Sequence, residues 1–90
     1  MDEKIYNLIN SLNDIYIVQE KNLDKQIEYI ITNKVTDINI IENCLDLITS
    51  IPTKKAQDLA FKLCDYYDSI NKKNAKVYKK IIYKTYEEDL

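Results

Sequence analysis

The chain has 90 residues, 46% hydrophobic and 31% charged, enough for one small domain with a single core. With no Gly, no His and Ser only at positions 11, 50 and 69, it lacks the materials of phosphate-cradling loops, imidazole acid/base chemistry and Ser-His-Asp catalysis. The net charge of −2 is unevenly spread: residues 1–50 carry four Lys against nine acids, net −5, and residues 51–90 carry nine Lys against six acids, net +3.

Ile5, Leu8, Ile9, Leu12, Ile15 and Tyr16 recur at i, i+3, i+4, i+7 and predict a helix from about residue 3 to about 19. Leu23, Ile27, Ile30 and Ile31 repeat the template after Asn22, a residue suited to closing one helix or capping the next, and predict a second, short helix ending near Asn33. Asp37 is placed to cap a third helix bearing Ile38, Ile41, Cys44, Leu45, Ile48 and Ile51. With Ile40 and Leu47 these residues fill nearly half the circumference, the width expected of a central helix. Pro52 pushes Ile51 toward extended geometry, and Thr53 caps a fourth helix striped by Ala56, Leu59, Ala60, Leu63, Tyr67 and Ile70. After a turn at Asn71 or Asn74, residues Ala75, Tyr78, Ile81, Ile82 and Tyr86 line a fifth helix to about residue 87. In the absence of Gly, Asn is the expected residue for the tight corners.

Fifteen Ile residues raise the question of strands, but only Ile38 to Ile41 approaches alternation, and its flanks favour helix. The expected fold is all-α: one domain over residues 1–90, a compact bundle of four to five short antiparallel helices. The start, Met1-Asp2-Glu3-Lys4, has neither the charged nor the apolar region of a signal peptide, and the longest apolar run is only Ile15 to Val18. A cytoplasmic location with reduced thiols is the expectation.

Asp24 with Glu28 and Glu42 with Asp46 sit at helical spacing and each pair offers oxygens to a cation, but bundle-type metal sites need Glu-x-x-His. They read as solvated acidic faces. Cys44 and Cys64 lie on apolar arcs and read as small buried hydrophobes. Accordingly no catalytic residue, metal or cofactor is expected, and the chain reads as a non-enzyme.

Two surfaces stand out. The fifth helix carries Lys72, Lys73, Lys76, Lys79, Lys80 and Lys84 with Tyr83 among them, a pattern that fits either a nucleic-acid surface or a solubilising face. Arg is absent, which removes bidentate phosphate recognition. On the fourth helix Phe61, the only Phe, falls outside the main stripe, with Lys54, Asp58, Asp65 and Asp68 as helical neighbours. It is expected either to pack against another helix or a dimer mate, or to anchor a partner from an outward-facing position ringed by acids, with Tyr66 extending the surface.

The segments Ile51-Pro52-Thr53, Ala56-Gln57-Asp58-Leu59-Ala60-Phe61 and Cys64-Asp65-Tyr66-Tyr67-Asp68, in a small acidic helical chain, make it resemble the small all-helical bacterial immunity proteins. Those proteins protect bacteria from their own bacteriocins or contact-dependent growth-inhibition toxins. The resemblance implies a protein-binding inhibitor that covers a basic toxin domain, with Asp58, Phe61, Asp65, Tyr66 and Asp68 as the partner-binding residues. A nucleic-acid-binding regulator using the Lys-rich helix, a phage-encoded inhibitor of bacterial defence, and a homodimer packed through Phe61 are the alternatives.

Overall fold

Asn22 does not break the helix that contains it. In the computed structural model, which describes the backbone of residues 3–87 and the side chains of residues 14–86, the first two expected helices are one. The order is α1 (Glu3–Thr32), α2 (Ile38–Thr49), α3 (Lys54–Asp68) and α4 (Lys72–Glu87), an all-α bundle with no strand among the described residues. The reason for the merger is in the register. Ile5, Ile9, Leu12, Tyr16, Leu23, Ile27 and Ile30 keep one bearing across residue 22, and Asn in a helix interior costs only about 0.7 kcal/mol relative to Ala. A break needs a phase shift or a Gly or Pro, and residues 17–24 supply none of these.

The corners show what replaces glycine. At the end of α1, Val35 N donates to Ile30 O at 2.9 Å and Lys34 N to Ile31 O at 3.3 Å, a Schellman closure with Lys34 in the left-handed region at φ 52. The expected Asn does not take that conformation. Val35 packs against the core over Ile30, and that apolar contact sets the position of the left-handed residue one step beyond Asn33. Asn33 instead donates Nδ2 to Tyr29 O at 2.9 Å. The caps fall where expected: Asp37 accepts from Asn39 N at 2.9 Å, Thr53 from Ala56 N at 3.1 Å, and Asn71 from Asn74 N at 3.0 Å.

α2 and α3 both touch each of the other helices, and α3 is the more deeply buried of the two. Ala56, Leu59, Ala60, Leu63, Cys64 and Tyr67 of α3 are buried, and α3 packs against each of the other helices. In α2, Ile41, Cys44, Leu45 and Ile48 face the core while Ile38, Ile40 and Leu47 stay exposed. Its wide apolar arc thus spills past the surface that α1, α3 and α4 cover.

Tyrosine hydroxyls tie the helices together. Tyr67 donates to Glu42 Oε2 at 2.5 Å, and Asn74 Nδ2 donates to the same oxygen at 3.2 Å, joining α2, α3 and α4. Tyr78 donates to Asp46 Oδ1 at 3.1 Å. Tyr86 reaches the Ile48 and Ile51 carbonyls at 3.0 and 2.9 Å, so the open C-terminal end of α2 is closed by α4. Buried side-chain N and O atoms among the described residues all have partners.

A helix of 30 residues is about 45 Å long, whereas α2, α3 and α4 reach only about 18 to 24 Å. The bundle therefore measures 49 × 27 × 17 Å, with a radius of gyration of 14.7 Å against about 12 Å for a compact chain of this length. From α1 the core takes Leu23, Ile27 and Ile30, with Tyr16 and Ile31 at its margin.

The left-handed Lys34 gives a direct test of the α1 corner. Lys34→Gly is expected to raise stability by about 0.5 kcal/mol, and Lys34→Val to lower it by about 1 kcal/mol or more, since a β-branched side chain clashes at positive φ. Urea unfolding monitored by circular dichroism measures both; equal effects for the two variants contradict this account of the corner.

Candidate protein-binding surface

Asp58, Phe61, Asp65 and Asp68 share about 80° of arc on α3, and the structure turns three of them toward α4. The Phe61 ring is half-buried against the core and meets Tyr83 of α4 with centroids 5.1 Å apart and planes at 59°. An outward-facing ring ringed only by acids was one expectation; the ring instead has α4 on one side, as its packing alternative required. Lys79 Nζ lies 3.2 Å from Asp65 Oδ1 and 3.9 Å from Asp68 Oδ2, so these acids are matched inside the monomer. Asp58 pairs with Lys54 at 3.4 Å one turn away, an exposed pair worth a few tenths of a kcal/mol.

Tyr66 is not part of this cluster. It projects from the other flank of α3 and donates its hydroxyl to Val35 O at 2.8 Å, strapping α3 to the α1–α2 connection. Beside it Lys62 reaches Glu28 Oε1 at 2.7 Å and links α3 to α1. Of the Lys-rich face, Lys79 is committed to α3, while Lys72, Lys73, Lys76, Lys80 and Lys84 are exposed.

A different surface lies between α1 and α2. Lys25, Gln26, Tyr29, Ile30 and Ile40 line an open groove of about 290 Å³. A second groove of about 180 Å³ continues from Gln26 along Leu23, Asn22, Gln19, Leu47 and Ile51. Tyr29 is 64% exposed, Leu47 56% and Ile40 49%, so large apolar side chains stand in solvent around a largely apolar trough. The signal was present as the excess width of the α2 arc, which had the look of a central helix. Only the position of α3 shows that Ile40 and Leu47 are left over.

Three of the four carboxylates at helical spacing are engaged. Glu28 binds Lys62, Glu42 accepts from Tyr67 and Asn74, and Asp46 accepts from Tyr78. Among the described residues no group of three or more acidic, Cys or His side chains is placed to hold a metal ion, and no helix is long and apolar enough to cross a membrane. Burial pushes the Cys44 thiol up to about 11. Burial also raises Cys64, against the pull of Lys79, and its Sγ donates to Ala75 O at 3.2 Å. Both sulfurs are thus protonated and inert near neutrality.

Burial, and then donation to a carboxylate, raises Tyr67 and Tyr78 above the ordinary phenol range. Comparison of the chain with protein-family models, with curated proteins and with solved structures returns no match.

Because those two phenols hold their protons more tightly when folded, their stabilising effect is complete below the unfolded pKa of about 10 and is lost as pH rises through the higher folded values. Urea unfolding is therefore expected to show stability falling above pH 10, with a shallower fall in Tyr67→Phe and Tyr78→Phe. An unchanged slope in both variants rules out these phenols as the source.

Proposed function

We propose that this chain is a non-enzymatic protein-binding inhibitor of the immunity type, which neutralises a basic bacterial toxin domain by covering its active surface. One observation carries the reading: the exposed apolar trough of Tyr29, Ile40 and Leu47 lies within the half of the chain that bears net charge −5. The net negative charge of that half attracts a basic partner at long range, and the trough, lined by apolar and neutral polar side chains with Lys25, holds it by burial of aromatic and aliphatic groups. The α3 stripe supports the reading less, because Asp65 and Asp68 already face Lys79 and Tyr66 already binds Val35. The weight of partner binding falls on α1 and α2, with Phe61 and Asp58 as a second contact.

The test is co-purification with the product of the adjacent reading frame and protection of cells that express it. Ile40→Lys and Leu47→Lys, each at an exposed position, are expected to reduce binding by about tenfold or more. Asp65→Lys with Asp68→Lys is expected to have the smaller effect. Full protection by the Ile40 and Leu47 variants removes the trough from the mechanism, and no protection by the parent chain removes the function.

A further inference from the structure

Between Lys72 and Tyr86 the chain has six Lys and no acid, although the whole chain is net −2. By the 100° step of a helix, Lys72, Lys76, Lys80 and Lys84 form one slanted row that rises about 6 Å per step over about 18 Å. Lys73 widens the row at its N-terminal end. All five are exposed, and none has an ion pair among the described residues. Like charges one turn apart destabilise a helix, and no described carboxylate offsets that effect here. The acids that meet α4 are engaged elsewhere: Asp65 and Asp68 of α3 face Lys79, the sixth lysine, while Glu42 and Asp46 of α2 accept from Asn74 and Tyr78 on the other side of the helix.

At the start of the row Asp68, Lys72, Lys76 and Lys79 surround a hollow of about 160 Å³. Three ammonium groups against one carboxylate leave it net positive, a setting for a phosphate group. Two features of this face select the ligand. Positive charge in a row takes a chain of negative groups rather than a single ion. Tyr83 lies within the same arc, one turn beyond Lys79 and Lys80, and is 60% exposed. Phe61 packs against one side of its ring, with centroids 5.1 Å apart, and leaves much of the ring in solvent. An exposed ring held among lysines is a platform on which a base of a single strand stacks. A duplex keeps its bases stacked on one another, and an acidic peptide or an anionic membrane has no base to offer. α1, with five of the nine acids of the first half, makes no contact with α4 among the described residues. Those acids act on the row only at long range, where salt screens them over about 10 Å at 0.1 M.

We propose that the outer face of α4 binds single-stranded nucleic acid without sequence selection, holding phosphates at Lys72, Lys76, Lys80 and Lys84 and one base on Tyr83. This face is separate from the α1–α2 trough, and its use does not depend on the partner proposed there. About four to five phosphates neutralised on a single strand give a slope of about −3 for log affinity against log salt.

Fluorescence anisotropy of a labelled oligothymidylate of about 20 nucleotides, titrated with the full chain from low to physiological salt, tests this. The expected result is a dissociation constant of about 10 to 100 μM at physiological salt, tightening as salt is lowered with a slope of about −3. Lys76→Gln with Lys80→Gln is expected to flatten the slope by about 1 to 1.5 without loss of helix content by circular dichroism, since it removes like-charge neighbours. Tyr83→Ala is expected to weaken binding by about fivefold or more at an unchanged slope, and Tyr83→Phe to bind as the parent does. Absence of binding at low salt overturns the proposal. So does a Tyr83→Ala variant that binds as tightly as the parent, or polyglutamate that competes as well as unlabelled oligonucleotide, either of which assigns the face to anions in general. Tighter binding to phosphatidylserine vesicles than to the oligonucleotide overturns it in favour of a membrane surface.

Discussion

Tyr67 sits fully buried on α3, and its hydroxyl must find an acceptor where water does not reach. Glu42 of α2 supplies it, and Asn74 of α4 binds the same carboxylate oxygen. Leaving that hydroxyl or that carboxylate alone would cost about 1 to 3 kcal/mol, so the three helices hold one relative placement rather than a range of them. The rest of the architecture follows. Tyr78 meets Asp46, Tyr86 closes the carbonyl end of α2, and Tyr66 straps the α1–α2 connection from the opposite flank. Tyrosine does between helices here what it does between proteins: the ring fills space and the hydroxyl sets direction.

This use of α3 changes the distribution of binding potential. With six residues buried, α3 has little surface to give away, and its acidic flank is answered by Lys79. α2 and α4 each keep a side to spare. α2 leaves Ile40 and Leu47 beside Tyr29, and α4 leaves Val77 and Ile81 among lysines. Among the described residues, Lys62 with Glu28 is the ion pair that joins the acidic first half of the chain to its basic second half, while α4 meets α2 through uncharged donors on Asn74, Tyr78 and Tyr86.

Much of the fold could be read from residue spacing because it depends on local chemistry. Asp37 and Thr53 cap because their side-chain oxygens reach amide groups two or three residues on, wherever the helix goes. The continuity of α1 was also legible, since the phase of the stripe passes unbroken through Asn22, but a single good cap residue suggested a boundary that the phase denied. Lys34 was not legible: a left-handed Lys has no local advantage, and its place is set by Val35 entering the core. That Phe61 and Tyr66 lie on opposite flanks of α3 was legible from their hundred-degree steps, but that one meets Tyr83 and the other Val35 was decided by packing.

The amino-acid order by itself determined the all-α class, the helix caps at Asp37 and Thr53 and the split of charge between the two ends. These follow from propensity, periodicity and composition, each of which acts over a few residues. Which helix is the most deeply buried was decided only when the helices met. An apolar arc of given width is satisfied equally by full burial or by one buried side and one exposed, and only the packing of α2 and α3 against their neighbours selects between them. That choice left Ile40 and Leu47 in solvent, gave Asp65 and Asp68 a lysine, and turned Tyr66, Tyr67, Tyr78 and Tyr86 into ties.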